Sequence, residues 1–143
     1  MTPAQKNLVQ STWSKVVPIA DTAAKMFYDR LFEIDPSTQP LFRGADLAGQ
    51  RKKLVQVLSV AIAGLDNLEV LVPIVEALGR KHIGYGVKDA HYDSVGAALL
   101  WTLEQGLGDA WTAETAAAWT EVYGVLAGVM RRAQREAIAG AMA

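Results

Sequence analysis

The chain has 143 residues, the size of one ordinary domain, and 51% of them are apolar, enough to fill a hydrophobic core. Charged residues make up 20% and the formal net charge is −1, so no basic surface argues for a nucleic-acid partner. Cysteine is absent, which excludes disulfides, thiolate metal sites, iron–sulfur clusters and cofactors attached through cysteine.

The sequence carries no sign of export or of membrane insertion. The first residues lack the apolar segment of a secretion signal. The longest apolar stretch, around residues 55–65, is interrupted by Gln56, Ser59 and Gly64 and is shorter than the ~20 residues of a membrane span. We therefore expect one cytoplasmic domain over residues 1–143, monomeric and without a membrane partner.

The first residues predict a helix that begins at the third position. Thr2 is a suitable N-cap, Pro3 suits the first helical position, and Gln5 completes a capping box. Apolar residues then recur at helical spacing until Pro18, which ends or kinks the segment.

Two more helices and a corner are predicted before residue 65. The second helix has an apolar face over residues 24–32 and stops near Asp35. A short helical corner over residues 36–40 leads to Phe42, and a third helix follows, roughly over residues 47–64.

The next two helices surround the two histidines of the chain. The fourth is predicted to open with a capping-box-like turn over residues 66–69 and to run to about His82, where glycines close it. The fifth begins at Asp89 or His91 and continues to about residue 108.

The last helix is predicted to be long. Thr112 is its expected cap, Ala139 its furthest end, and Gly124 and Gly128 are expected to allow close helix crossing. No segment shows strand alternation, and the helices are unequal in length. The pattern therefore predicts an all-α fold of six to eight helices with oblique packing, rather than a regular four-helix bundle.

His82 is the first candidate for chemistry. It ends an apolar helix, and Leu78 lies four residues earlier on the same face. An imidazole beside an apolar shelf is what a proximal haem ligand needs. A lone helical histidine is more often a surface or polar core residue, and His91 is the rival ligand, expected to bond backbone or a propionate or to face solvent.

The third helix presents a second candidate face. Gln50 and Leu54 are four residues apart and stack on one side, with Lys53 beside them and long enough to reach a haem propionate. Gln50 precedes His82 by 32 residues, so two helices can enclose a flat ligand. Each residue also has an ordinary interpretation: Gln50 and Lys53 as solvated side chains and Leu54 as core.

These segments together resemble the flavohaemoglobin and neuroglobin branch of the globins. Residues 78–82 with Gly86-Val87 resemble the proximal helix, and residues 118–127 resemble the last helix of that branch. Phe42, placed 14 residues after Tyr28, resembles the haem-stacking phenylalanine that follows the distal tyrosine. Gln50 with Leu54 matches the distal pair of flavohaemoglobin globin domains.

The resemblance implies a globin fold that encloses one haem b. It implies that His82 ligates the iron and that Tyr28 and Gln50 donate hydrogen bonds to O2. It also implies haem contacts from Phe42, Lys53, Leu54, Leu78, His82, Val87, Tyr92 and Val95.

One position departs from the flavohaemoglobin pattern. That family pairs its proximal histidine with a tyrosine and a glutamate; Tyr92 matches the tyrosine, but Gln134 stands at the glutamate position. A neutral amide would draw less proton density from the imidazole, which weakens the electron push onto iron and puts O–O activation in doubt. Tyr92 as a plain core tyrosine remains an alternative.

Three functions are compatible with these residues. The first is reversible, high-affinity O2 binding for transport, storage or NO scavenging, with O2, NO and CO as ligands. The second is an NO dioxygenase that depends on an external reductase, because the chain contains no G-x-G-x-x-G dinucleotide motif. The third is a globin-like sensor domain without haem.

Overall fold

The computed structural model describes residues 1–142, and within them six α-helices and four short 3-10 helices are joined by turns, with no strand. This confirms the predicted all-α class and the helix count. None of the helices in that range combines the length and hydropathy of a membrane span. The α-helices are α1 (Pro3–Val16), α2 (Ala20–Ile34), α3 (Leu47–Ala63), α4 (Leu68–Gly84), α5 (Asp89–Leu107) and α6 (Ala113–Met142). The 3-10 helices are Val17–Ile19, Pro36–Phe42, Gly64–Asp66 and Gly108–Ala110.

Two helix starts follow the predicted capping chemistry. The Thr2 hydroxyl accepts the Gln5 backbone N–H at 3.1 Å, and the Gln5 side-chain oxygen accepts the Thr2 N–H at 2.9 Å. At α6 the Thr112 hydroxyl accepts the Thr115 N–H at 3.1 Å. In both places a side chain satisfies donors that a helix start leaves free, which fixes where the helix begins.

The start of α4 corrects one prediction. Asn67 stands at the N-cap position, but its side chain makes no capping hydrogen bond, so the expected capping box does not form. Instead the preceding 3-10 turn ends there, and the backbone oxygen of Asn67 accepts the N–H groups of Val70 and Leu71. At the other end the helix reaches Gly84, and Gly86 has a φ of 82°, a conformation that glycine adopts without strain.

The core lies where α1, α2, α4, α5 and α6 cross. The most extensive packing joins α4 to α6, α2 to α5 and α1 to α6. Trp119 on α6 is 2% exposed, and its indole N–H donates to the Thr12 hydroxyl at 2.9 Å while its ring lies 6.2 Å from that of Trp13. A buried tryptophan needs such a partner for its N–H, so this bond fixes α1 on α6.

The glycines at helix crossings are not the predicted ones. A Cβ added to Gly124 or Gly128 would meet nothing within 4 Å, so close crossing does not depend on them. A Cβ on Gly79 would lie 2.6 Å from the Met130 carbonyl oxygen, and one on Gly96 would lie 2.7 Å from the Tyr123 ring. Gly79 therefore lets α4, which carries His82, rest directly on α6.

We expect Gly79→Ala to lower the free energy of unfolding by about 1–3 kcal/mol, because the obstructing atoms are backbone and the helices must separate. Gly124→Ala is the matched control: the site is open and helical, so alanine should stabilise by about 0.5–1 kcal/mol. Urea unfolding of both variants measures the difference. Equal stabilities would show that the close contact does not constrain the fold.

Candidate functional site

His82 occupies the last turn of α4, and its ring is half-buried. Its Nδ1 lies 2.7 Å from the backbone oxygen of Leu78, one helical turn earlier. A carbonyl only accepts, so Nδ1 carries the proton and donates it to Leu78. The other ring nitrogen, Nε2, is thereby left with a lone pair for ligation.

The surroundings of His82 favour the neutral imidazole. Burial lowers the pKa of His82, and the hydrogen bond to the Leu78 backbone acts in the opposite direction with a smaller effect. A neutral imidazole with a fixed tautomer is the form that binds metal. A single such nitrogen suits a metal that brings its other ligands with it, as haem iron does, so the residues present fit that group.

Two tyrosine rings border the imidazole. The Tyr92 ring lies 6.5 Å from the His82 ring with 27° between their planes, and the Tyr85 ring lies 5.5 Å away, edge-on. Tyr92 comes from α5 and is 5% exposed, and burial raises the pKa of its hydroxyl. Its hydroxyl therefore stays protonated and acts as a hydrogen-bond donor.

Gln134 on α6 receives that hydrogen bond. The Tyr92 hydroxyl donates to Gln134 Oε1 at 2.8 Å, and Gln134 Nε2 donates to the backbone oxygen of Val87 at 2.6 Å. Gln134 is 6% exposed, so the bond to Tyr92 is shielded from water and the bond to Val87 is partly shielded. Its partnership with Val87 was not predicted, because nothing in the sequence relates the last helix to the loop before α5.

An aromatic cluster forms around Tyr28 on α2. Tyr28 is 5% exposed, and its ring meets Phe42 edge-on at 5.3 Å and lies 6.1 Å from Phe32. Phe42 ends the 3-10 helix that follows α2. The structure thus joins the residues predicted for the distal tyrosine and for the haem-stacking phenylalanine.

Gln50 faces the Tyr28 hydroxyl from the first turn of α3. Burial raises the pKa of Tyr28, and the polar side chain of Gln50 nearby lowers it to a smaller extent. The Tyr28 hydroxyl is therefore a neutral donor. Asp46 fixes the start of α3, since its carboxylate accepts the Ala48 N–H at 3.2 Å.

The other predicted haem contacts are differently placed. Leu54 and Val95 are half-buried and pack against the hydrophobic core, whereas Lys53 is exposed on α3. Leu78 and Val87 are half-buried, and each bonds to His82: the Leu78 oxygen accepts from its Nδ1, and the Val87 N–H donates to its backbone oxygen at 3.1 Å. Contact of these five side chains with haem stays a prediction.

A cavity of about 390 Å³ lies at the corner between α2 and α3. Phe42 is the one predicted haem contact among its lining residues, and Phe32, which lies beside Tyr28, lines it as well, so the cavity adjoins the candidate site through these two rings. The remaining lining residues are Pro36, Gln39, Pro40, Arg43 and Leu47.

His91 has both ring nitrogens occupied by protein. Its Nδ1 accepts the Lys88 N–H at 2.9 Å, so Nε2 carries the proton and lies 3.3 Å from the Ser37 hydroxyl. Ser37 donates in turn to Asp35 at 2.5 Å, and Ser94 donates to the other Asp35 oxygen at 2.6 Å. These hydrogen bonds, led by that of Ser37, lower the pKa of Asp35.

The His91 bonds tie the 3-10 helix that carries Phe42 to the start of α5. The sequence indicated Asp35 only as the end of a helix, and its link to Ser94 depends on the packing of α2 against α5. With both nitrogens engaged, His91 offers no lone pair to a metal. The geometry thus favours His82 over His91 as a ligand.

Comparison with known proteins identifies the family of this chain. A sequence model of the globin family, described as "Globin", matches residues 25–130. The chain is 36% identical to a flavohemoprotein of Rhodopirellula baltica over 124 residues, which are 85% of this chain and 30% of that protein. It is 34% identical to a flavohemoprotein of Bacillus subtilis over 122 residues, 84% of this chain and 31% of the relative.

A flavohemoprotein of Bordetella parapertussis is 32% identical over 146 aligned positions, covering 99% of this chain and 36% of the relative. The chain therefore spans about a third of the length of these curated relatives. The helical architecture, the His82 tautomer and these matches agree with one another. The chain belongs to the globin family, whose members hold haem and bind gaseous ligands with it.

Proposed function

We propose that this globin binds O2 reversibly and with high affinity at a haem b held by His82. The observation that supports it is the meeting of the buried Tyr28 hydroxyl with the Gln50 side chain, a pair of neutral donors. When bound, the haem supplies the iron atom at which a gas ligand attaches. Haem b is favoured because the chain has no cysteine for covalent attachment.

The protein contributes ligation on one side and hydrogen bonds on the other. His82 Nε2 holds the metal, and the Leu78 carbonyl fixes its tautomer. Tyr28 and Gln50 donate to a ligand that carries partial negative charge, and each bond contributes about 1 kcal/mol net, or more in a dry pocket. Together they slow loss of O2 by roughly one to two orders of magnitude. Bound CO carries less negative charge than bound O2, so the same hydrogen bonds stabilise it less.

The proximal groups favour reversible binding over O–O cleavage. The Nδ1 proton of His82 goes to a neutral backbone oxygen, and the amide of Gln134 carries no charge. Neither group draws the proton from the imidazole as a carboxylate would, so electron donation through His82 is weak.

NO dioxygenase activity is the second candidate function. The similarity to flavohemoproteins favours it, and Tyr28 and Gln50 are the residues that we propose for its distal side. Nitrate takes both oxygen atoms of O2 and the nitrogen of NO and carries one negative charge, so one electron would have to be supplied with them. Each turnover therefore requires one electron from an external reductase.

Reaction with NO separates the two candidates. The oxygenated protein is mixed with excess NO in the presence of ascorbate and a redox mediator, which together serve as the electron donor. The amount of nitrate formed is then measured in moles per mole of protein. We expect about one nitrate per protein at once and only slow formation afterwards, because a site that serves O2 binding takes up electrons from the donor slowly. Continued rapid nitrate formation would contradict a carrier and support the dioxygenase.

The third hypothesis, a sensor domain without haem, predicts a colourless protein even after haem is added. Membership of the globin family and the free Nε2 of His82 support haem instead. Gas ligands are thus the proposed partners, with an external reductase only for the second function, and the monomeric state stays a prediction.

A further inference from the structure

We infer that Asp35 is a positioning residue of the distal side: its carboxylate fastens the 3-10 helix that carries Phe42 to α5 and so keeps the Phe42 ring against Tyr28. This inference deepens the proposed function and rests on it, because Tyr28 is the proposed donor to bound O2. Asp35 acts through these neighbours and is not itself a predicted contact of the haem or of its ligand.

The 3-10 helix Pro36–Phe42 is a weak element by itself. It runs for seven residues, whereas the hydrogen-bond geometry of such helices makes runs longer than about 3–4 residues uncommon. Pro40 lies in its interior and has no N–H to donate. The helix therefore depends on bonds to the rest of the fold for its position.

Packing holds this helix mainly on one side. It packs chiefly against α2, the helix that it follows. Pro36, Gln39, Pro40 and Phe42 line the cavity of about 390 Å³, so on that side the helix borders open space rather than close-packed side chains. Attachment of the helix to α5 consequently relies on individual side-chain bonds.

Asp35 caps the helix and also ties it to α5. Its Oδ1 accepts the N–H of Ser37 at 3.1 Å and the hydroxyl of Ser37 at 2.5 Å. Its Oδ2 accepts the hydroxyl of Ser94 on α5 at 2.6 Å, a bond that spans 59 positions of the chain. Its backbone oxygen accepts the N–H of the buried Thr38 at 3.0 Å and the Thr38 hydroxyl at 2.7 Å. One residue thus joins the end of α2, the 3-10 helix and α5.

The arrangement of donors favours a carboxylate at this position. Hydrogen bonds, that of Ser37 first, lower the pKa of Asp35, so the side chain is ionised at neutral pH and only accepts. Bonds to a charged acceptor are shorter and stronger than neutral ones, as the 2.6 Å bond from Ser94 illustrates. The neutral contact between His91 Nε2 and the Ser37 hydroxyl is longer, at 3.3 Å. The bond between Asp35 and Ser94 is therefore the main tie of the helix to α5.

The tie reaches the distal side through aromatic rings. Phe42 is the last residue of the 3-10 helix, and its ring meets that of Tyr28 edge-on at 5.3 Å and lies 5.7 Å from that of Phe32. Because Phe42 is half-buried and lines the cavity, a helix released from α5 lets this ring move away from Tyr28. The Tyr28 hydroxyl then loses part of its support and donates less well to a ligand.

The experiment compares haem-loaded wild type with Asp35→Ala and Ser94→Ala. The control is Thr2→Ala, which removes a helix cap at the start of α1. Three quantities are measured: hydrogen exchange of the backbone amides of residues 37–43, the C–O stretching band of the CO-bound protein, and the rate of O2 release. The CO band responds to hydrogen-bond donors beside the ligand, which a merely structural role for Asp35 would leave unmoved.

We expect both variants to exchange the amides of residues 37–43 at least about 10-fold faster than wild type, because a bond to a charged group is lost. The CO band should move towards that of Tyr28→Phe, and O2 release should become up to about 5-fold faster. Thr2→Ala should match wild type in all three. Because Asp35 and Ser94 act through one bond, the double variant should show no larger effect on the CO band than Asp35→Ala alone.

Wild-type exchange and a wild-type CO band in Ser94→Ala would overturn the inference, since the carboxylate would then only cap the helix. If Asp35→Ala does not fold, Asp35→Asn replaces it. Its amide oxygen accepts from Ser37 and its nitrogen donates to the Ser94 oxygen in a weaker, neutral bond, so an intermediate band is expected and an unchanged one would overturn the positioning role.

The proposed function fails in a different way. Absence of a Soret band from the wild-type protein after haem addition would refute haem binding, whereas the exchange of residues 37–43 would still test the bond between Asp35 and Ser94. The two failures are therefore distinguishable.

Discussion

Replacing His82 by glycine should abolish stable haem binding, with the affinity for haem falling at least about 100-fold, beyond the loss that follows when a supporting residue is removed. Nε2 of the half-buried His82 is the proposed metal ligand, and the glycine leaves a space the size of an imidazole. Free imidazole added to the variant should restore the Soret band, because it supplies the missing nitrogen in the vacated space. Haem titration followed by absorbance measures both effects.

His91→Ala is the matched control for the other histidine. Its ring bonds Lys88 and Ser37, so the variant should lose about 1–3 kcal/mol of stability while it keeps the wild-type spectrum once loaded with haem. A normal spectrum in His82→Gly, or its loss only in His91→Ala, would contradict the assignment of the ligand.

Tyr28→Phe should release O2 about 10-fold faster than wild type, since one hydrogen bond worth about 1.4 kcal/mol corresponds to that factor. Gln50→Leu should act in the same direction. Because the two side chains lie beside each other and would donate to the same ligand, the double variant should differ from the sum of the single effects. Stopped-flow displacement of O2 by CO measures the rates, and CO release should change much less.

Tyr123→Phe serves as the control for the loss of a tyrosine hydroxyl. Its hydroxyl donates to the backbone of Tyr92 on α5, away from Tyr28, so the variant should lose stability without a change in O2 release. An O2 release rate that stays at the wild-type value in Tyr28→Phe would remove that hydroxyl from the mechanism.

Features that depend on short stretches of sequence were predictable. The capping box at Thr2 and the cap at Thr112 involve residues three apart in the chain, so the pattern alone specifies the bond. The spacing of His82 and Leu78 likewise predicted that they share one helical face, but not that His82 would donate to the Leu78 backbone oxygen. The resemblance to flavohaemoglobins then assigned Tyr28 and Gln50 to the distal side, a role that the spacing of the residues did not settle.

Features that depend on tertiary packing were not predictable. Gln134 and Val87 are 47 residues apart, and their bond exists only because α6 crosses the end of α4. Glycine spacing suggested Gly124 and Gly128, but whether a glycine is needed depends on what lies opposite, and Met130 lies opposite Gly79. The capping box expected over residues 66–69 did not form, because the preceding 3-10 turn sets the backbone there.

The absorption spectrum of the ferrous wild-type protein, first without oxygen and then in air, tests the central claim most directly. We expect a five-coordinate spectrum that changes in air to a persistent oxygenated form and returns when O2 is removed. That result would support His82 as the protein's one ligand, with Tyr28 and Gln50 holding O2 opposite it. A six-coordinate spectrum without oxygen, or no Soret band after haem addition, would contradict the account.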